Sequence, residues 1–533
     1  MRILTASDRS LLIEAADLDE AMRLNLAWDG VPGVVERIPG ARTVLVRFDP
    51  VRTSAAALAE VLSATPVDAE HATHLHEATI PVRYDGEDLS ETAGLLGVSV
   101  EELVNRHLAA DWQVAFSGFA PGFGYVVSSD PLFDVPRRSS PRTRVPAGSV
   151  ALAGQFTGVY PRESPGGWQL IGRTDAVMWD IDRDPPALLA PGTSVRFEQA
   201  ARDTISAPSE NTVDTPNSRR VDARHAVDTP DGLGFPADKA AIEVFRPSLQ
   251  LLVQDAGRPG HAALGVSESG AADRTAMRDA NSAVGNDPVA AVLESVGGAV
   301  LGFHGDGVAA VTGAIGEIVL VDADGVARTV EHGMPFATAD GDELQLGHPT
   351  YGLRYVIGVR GGVDTASALG SRASDTLAGL GPTPLTAGDM IEIGDAPLRA
   401  VDPVPQPREL PASGDLVQLD ITLGPRDDWF TASALETLTT QEWQVTPRSD
   451  RVGIRLQGDV PLERSTDGEL PSEGAVTGAI QVPPDGQPVL FLPDHPLTGG
   501  YPIIGALTDR CLDLAAQLPP GTRIRFRIDE GQS

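Results

Sequence analysis

The sequence predicts a mainly β fold with an α+β part, and three observations carry that prediction. Short β-branched runs alternate with Gly, Pro and aromatic residues, most densely over residues 118–174 in GFAPGFGYV, RVPAGSVALAG and SPGGWQLIGRT. Such punctuation reads as strands joined by tight loops. Segments with helical periodicity and a capping signal are few. One long motif also occurs twice: GGWQLIGRTD (166–175) aligns with GGYPIIGALTD (499–509), APGTSVRF (190–197) with PPGTRIRF (519–526), and VPAGSVALAG loosely with EGAVTGAIQV (473–482). Matched segments in the same order indicate two copies of one β-rich domain.

The 533 residues exceed a single core, and roughly 150 residues per domain suggests three or four units. Residues 1–76 read as a small α/β domain. Strands are expected at 2–6 and 11–15, followed by a helix over 17–28 that Asp17 or Asp19 starts. A hairpin split at Pro39–Gly40 comes next, then an alanine-rich helix to Leu62 capped by Thr53 or Ser54. The order suggests a ferredoxin-like half. His71, His74 and His76 in HATHLH read as a solvated linker.

Residues 77–200 form the first strand-rich domain, beginning at 80–84. Its one clear helix is 100–110, opened by a capping box between Ser99 and Glu102. His107 lies on that helix, before the strand that leads to GFAPGF, and reads either as a packed histidine or as a site residue. Residues 201–238 are polar and poor in large apolar side chains, the composition of a disordered linker. A second β-rich unit spans 239–400. It contains a helix over 271–284 that Gly285 and Asn286 end, and strands at 299–303, 308–312, 317–321, 344–347 and 354–359. After the Pro-rich break, 413–533 is the duplicated lobe.

A net charge of −33 argues against broad nucleic-acid or anionic-membrane surfaces. Lys239 is the only lysine and has no glycine-rich loop around it, so bound phosphate would rely on arginine forks, backbone N–H groups or a metal. The single cysteine, Cys511, leaves no disulfide framework and no thiolate zinc cluster, and its apolar neighbours suggest an inert thiol. No signal-peptide pattern and no apolar run of about 20 residues occurs, so a cytoplasmic protein is expected. G-x-S-x-G, H-E-x-x-H, the phosphate-loop signature, G-x-G-x-x-G after a strand and a Met-Lys biotin acceptor are all missing. The residues alone thus describe a two-part β-rich binding or catalytic protein, with its site between glycine-rich loops.

Longer motifs resemble a known family. GFAPGFGYV with RVPAGSVALAGQFTGVYPRESPGGWQLIGRT is similar to the B component of 5-oxoprolinase (allophanate hydrolase subunit 1, Kip inhibitor type). QDAGRPGHAALGVSESGAADRTAMRDANSAVGNDPVAAVLE, VRGGVDTASALGSRASDT, SDRVGIRLQG and SEGAVTGAIQVPPDGQPVLFLPDHPLTGGYP are similar to its C component (allophanate hydrolase subunit 2). The resemblance implies a fusion of the two, with cyclophilin-like β-barrels. It implies ATP-dependent opening of 5-oxoproline to glutamate, with Mg2+ accompanying ATP, together with a separate A component of the LamB/YcsF type. It implies no biotin on this chain, no nucleic-acid or membrane partner, and leaves homo-oligomerisation open. Two alternatives remain: a carboxyltransferase-type component acting on urea- or allophanate-like amides, and a regulatory protein inhibiting a sensor histidine kinase.

Carried onto this sequence, the resemblance points to Gly148, Ser149, Ser164, Gly166, Gly167, Arg173 and Thr174 in the first half. In the second it points to Gln254, Asp255, Arg258, Ser269, Asp273 and Asn281, with Gly499 and Gly500 in the repeated loop. Asp255 or His107 would be the general base, and Arg258 or Arg173 would hold phosphate or carboxylate. The chain departs from the family's D-x-Q-T pattern, having Asp494, His495, Pro496, Leu497 and Thr498 there.

Overall fold

The computed structural model describes residues 1–67, 76–138, 140, 142–200, 239–395, 398–403, 408–466, 468 and 470–529. The linker expected over 201–238, and His71 and His74, lie outside the described residues.

The N-terminal unit runs β1 (Arg2–Ser7), β2 (Ser10–Glu14), α1 (Leu18–Ala27), β3 (Val34–Pro39), β4 (Thr43–Phe48) and α2 (Ala55–Ala64). Asp17 caps α1 by accepting from Glu20 N at 2.8 Å, and Ser54 caps α2 from Ala57 N at 3.2 Å. The sheet is antiparallel in the order β1-β2-β4-β3. A two-layer α/β unit is therefore present, but two strands precede the first helix, which is not the β-α-β-β-α-β order of a ferredoxin-like fold. Strand alternation explains where this sheet goes. Leu11, Ile13, Val44 and Val46 pack with Leu24, Trp28, Leu58 and Leu62 of the helices, while Leu12, Leu45 and Ile38 point the other way, onto Ala475, Val476, Phe491 and Leu497. Both faces are buried, and the second is covered by the distant C-terminal lobe.

The next unit comprises β5 (Glu77–Val82), α3 (Leu89–Leu95), α4 (Val100–Ala109), β6 (Trp112–Ser117), β7 (Gly124–Ser128), β8 (Arg142–Val145), β9 (Ser149–Ala153), β10 (Phe156–Val159), β11 (Ser164–Gly166), β12 (Gln169–Arg173) and β13 (Ser194–Gln199). Seven strands follow the order β12-β9-β10-β7-β6-β13-β5, and a bridge between Arg83 and Arg173 brings the two edges together. α3 is a second helix where one was expected. Its seven residues are too few for a 3.6-residue period to register, and Asp88 at its N-cap makes no side-chain cap bond because its carboxylate accepts from Leu170 N, Arg138 and Arg142 instead.

The middle unit contains β14 (Ala241–Arg246), β15 (Gln250–Gln254), α5 (Arg274–Val284), β16 (Val292–Val296), β17 (Val300–His304), β18 (Gly307–Ile315), β19 (Ile318–Val321), β20 (Ala327–Thr329), β21 (Phe336–Thr338), β22 (Glu343–Leu346), β23 (Tyr351–Val359), β24 (Val363–Asp364) and β25 (Met390–Ile393). Its sheets are ordered β20-β19-β22-β17-β14-β25-β24 and β15-β16-β23-β18-β21, with one apolar core drawing on both. Asp273 caps α5, which begins three residues later than the periodicity suggests because residues 271–273 belong to the preceding loop.

The last unit is β26 (Leu416–Leu423), α6 (Ala432–Thr440), β27 (Trp443–Val445), β28 (Gly453–Gln457), β29 (Glu473–Gly474), β30 (Ala479–Gln481), β31 (Val489–Phe491), β32 (Thr498–Gly499), β33 (Ile503–Leu507), α7 (Asp509–Ala515) and β34 (Arg523–Ile528). It closes as β26-β33-β30-β31-β28-β27-β34. The pairings repeat those of the 77–200 unit strand for strand. β26 runs parallel to β34 as β5 does to β13, and the small sheet β29–β32 mirrors β8–β11. Even the tryptophans agree: Trp112 donates to the carbonyl of His107 and Trp443 to that of Leu438, each five positions back.

Candidate functional site between the halves

The loop after β15 is shaped first by its own backbone. Asp255 accepts from Gly257 N at 2.8 Å and from Ser371 Oγ and Arg372 N, both at 2.6 Å. Gly257 has φ +85°, and a Cβ there would lie 2.5 Å from Glu268 O, so the loop folds back on itself only with glycine at this position. Its return arm presents Glu268 and Ser269 to the N-terminal sheet. Arg47 on β4 donates to Glu36 on β3 and to Glu268, both at 2.8 Å, and Glu36 accepts from the amides of Gly260 and Ala262 at 3.2 Å.

These contacts frame a cavity of about 340 Å³, walled by the turn and strands of the N-terminal sheet, the 256–274 loop, and residues 475–477, 492–497 and 507–512. Arg9, Arg47 and Arg274 supply its positive groups; Asp8, Glu36, Glu268 and Asp509 are among its negative ones. Arg9 meets Asp509 at 2.6 Å, and Arg274 reaches Asp509 at 3.1 Å and Asp513 at 3.3 Å. Burial raises the pKa of Asp8 above the usual carboxylate value, although the amide of Asp509 works against that.

Beneath the cavity lies a buried charge network. Arg451 pairs with Asp494 at 3.0 Å and with Glu294, and donates to Gly270 O at 2.6 Å. Asp494 also accepts from Ser269 Oγ, Thr376 Oγ1 and Thr376 N at 2.7–2.9 Å. Burial would raise Asp494, but Arg451 and these donors hold it below the ordinary carboxylate value. Asp375 next to it goes the other way: burial and the charge of Asp494 keep it well above that value. Both effects have the same origin, since only one of the two carboxylates touches the guanidinium.

The GFAPGF loop reaches the same region from the first half. Phe119 N donates to Thr498 Oγ1 at 2.9 Å, and Gly265 sits where a Cβ would come within 2.6 Å of Ala120 O. Phe119, Pro121, Ser267, Asp375 and His495 border a second, water-sized void of about 10 Å³. His495 borders both spaces.

Of the residues expected from sequence, Ser269 lines the cavity; the others do not. His107 is fully buried, contacting Tyr84 Oη at 2.7 Å and Thr157 Oγ1 at 3.1 Å among Trp112, Phe133 and Phe197. Burial pushes its pKa down to about 3, and its counterpart in the repeat is the core residue Leu438, so the general-base assignment is corrected to a core role. Arg258 and Asp255 do not pair with each other among the described residues. Arg258 is 2% exposed and braces the loop by donating Nε and Nη2 to the carbonyls of Ala368 and Ala373, while its Nη1 has no partner among the described residues. Arg173 pairs with Asp85 at 2.9 Å at the seam of the first barrel.

Thr174 N donates to Gly148 O at 2.8 Å, Ser149 donates to Pro146 O, and Gly166 packs on Tyr160. Ser164 belongs to the small sheet, and Gly167 O accepts from Arg138 N at 2.9 Å. Gln254 donates to Ser374 O, Asp273 caps α5 and pairs with Arg408, and Asn281 donates to Ala290 O. Gly499 and Gly500 lie against Gln481 and Arg137. Arg47, Glu268, His495 and the Arg451–Asp494 pair were missed. The last three lie within stretches already singled out (GVSESG, DHPLTGG, SDRVGIRLQG), but Arg47 reads as an ordinary outward strand position.

The carboxyltransferase-domain model for subdomains C and D matches residues 1–189, and that for subdomains A and B matches 264–528. The chain belongs to the carboxyltransferase-domain family. It is 34% identical over 289 residues to the C component of 5-oxoprolinase from Escherichia coli K12, covering 54% of this chain and 90% of that protein. It is 42% identical over 171 residues to the B component of 5-oxoprolinase from Escherichia coli O157:H7, covering 31% of this chain and 78% of that one. The crystal structure of TTHA0988 superposes with a TM-score of 0.79 at 32% identity, over 97% of this chain and 99% of that one. This chain is thus a fusion of B-like and C-like halves. Its C/D half supplies Arg9, Glu36 and Arg47 to the cavity, and its A/B half supplies Glu268, Ser269, Arg274, His495 and Asp509.

Proposed function

We propose that this chain is the fused B-plus-C component of a 5-oxoprolinase-type hydrolase that opens 5-oxoproline to glutamate at the expense of ATP, acting with a separate protein of the LamB/YcsF type. The observation that carries the reading is the cavity walled by both halves, each similar to a different component of 5-oxoprolinase. A lactam is a poor electrophile, and phosphorylation of its oxygen makes the carbonyl carbon open to water. Charge developing there is stabilised by fixed donors, and the substrate carboxylate suits a guanidinium such as that of Arg9, Arg47 or Arg274.

The test is to combine the full chain with its candidate LamB/YcsF-type partner and measure ATP-dependent glutamate release from 5-oxoproline. Release that needs all components supports the reading. No release, beside a working 5-oxoprolinase complex as control, removes it.

A further inference from the structure

We infer that His495 is the hydrogen-bond acceptor that reads an amide N–H of the ligand in the cavity between the halves. The inference rests on the lactam reading above for the identity of that ligand. His495 Nδ1 lies 2.9 Å from Pro496 O, and a carbonyl can only accept, so Nδ1 carries the proton and Nε2 is left with a bare lone pair. Nε2 makes no hydrogen bond within the described residues. The ring is 5.5 Å from that of Phe491 at an interplanar angle of 9°, which fixes its plane, and it borders both the 340 Å³ cavity and the water-sized void.

Arg47 of β4, Glu268 of the facing loop, Asp494 beside it and Asp375 across the void are the charged groups around it. Burial is the largest influence and lowers its pKa to about 4, so the imidazole stays neutral at pH 7. So low a value makes Nε2 a weak proton abstractor and a dependable acceptor. 5-Oxoproline carries one N–H beside its carbonyl carbon, whereas the lactone of the same shape has a ring oxygen there. A site built around an acceptor should refuse the lactone, because two lone pairs would then face each other.

The experiment uses the full chain with 15N-labelled histidine. His495→Phe identifies the His495 Nε2 resonance by its loss. We expect 5-oxoproline to move that resonance, and 5-oxotetrahydrofuran-2-carboxylate, the lactone, to bind about tenfold more weakly or worse. His495→Phe should abolish the preference, and His495→Gln, which keeps an acceptor, should restore part of it. Equal binding of the two ligands, no binding of either, an unmoved resonance, or a preference surviving in His495→Phe each overturns the inference. A preference that depends on His495 without glutamate release by the assembled complex would sink the hydrolase reading alone. Release without such a preference would sink this inference alone.

Discussion

Arg451 and Asp494 face each other with neither side chain reached by solvent, and two guanidinium nitrogens stand 3.0 Å from the two carboxylate oxygens. Through Ser269 and Thr376, this pair ties the 256–274 loop and the 375–378 turn to the C-terminal barrel. The pair therefore holds the cavity floor in place.

Removing one partner leaves a buried charge uncompensated, which is costlier than losing the pair. Arg451→Met should destabilise the protein by about 3–5 kcal/mol, because Asp494 loses its counterion and Glu294 keeps only the longer contact with Arg354 at 3.6 Å. Asp494→Asn should cost less, since Glu294 still neutralises Arg451. Denaturant unfolding of both variants checks the order, and the reverse order would contradict the account.

His107 gives the acid limb of stability a definite sign. Its folded-state pKa of about 3 lies below the ordinary 6.5, so the unfolded chain binds the proton first as pH falls. Stability is complete above about pH 6.5 and declines toward pH 3, by about 1.4 kcal/mol per pH unit for one such group. His495 adds a second decline ending near pH 4. His107→Leu, which copies Leu438 of the repeat, should make the pH dependence of unfolding shallower by one proton. It should cost about 1–2 kcal/mol at pH 7 through the orphaned Tyr84 hydroxyl and leave turnover unchanged. Loss of turnover in folded His107→Leu would restore a catalytic role.

Gly148 and Gly154 separate a packing requirement from a backbone one. Both have positive φ, +76° and +53°, but a Cβ at Gly148 would run into Thr174 O whereas one at Gly154 meets nothing within 4 Å. Gly154→Ala should cost roughly 1–2 kcal/mol, from conformation alone. Gly148→Ala should cost roughly 2–4 kcal/mol, as overpacking adds to it. Equal thermal shifts in the two variants would show that the Thr174 contact is unimportant.

The two arginines assigned to anion binding should now behave differently from each other. Arg258→Ala removes a buried brace of two carbonyls and should lower thermal stability along with turnover. Arg173→Ala breaks a partly exposed pair with Asp85 and should shift stability by less than about 1 kcal/mol, with turnover intact. A folded, stable Arg258→Ala without activity would return that residue to the site.

Local pattern and repetition carry the part of this protein that is legible in its amino-acid order. Asp17, Ser54 and Ser99 start helices where their side chains can take a backbone N–H three residues on, and the alternating apolar strands form where expected. The GGW/GGY repeat announced two barrels of one topology, because the same residues must turn the chain and fill the barrel in the same way twice. Where the cavity lies is a matter of tertiary packing. Arg47 and Glu268 are 221 positions apart, and nothing local distinguishes an arginine on a strand that faces solvent from one that spans the two halves. The same limit misassigned His107, whose helix position fits a site or a core equally well until Trp112, Phe133 and Phe197 close around it. It also hid His495, whose usable nitrogen follows from a single contact with Pro496 O and from the walls that three separate segments build around it.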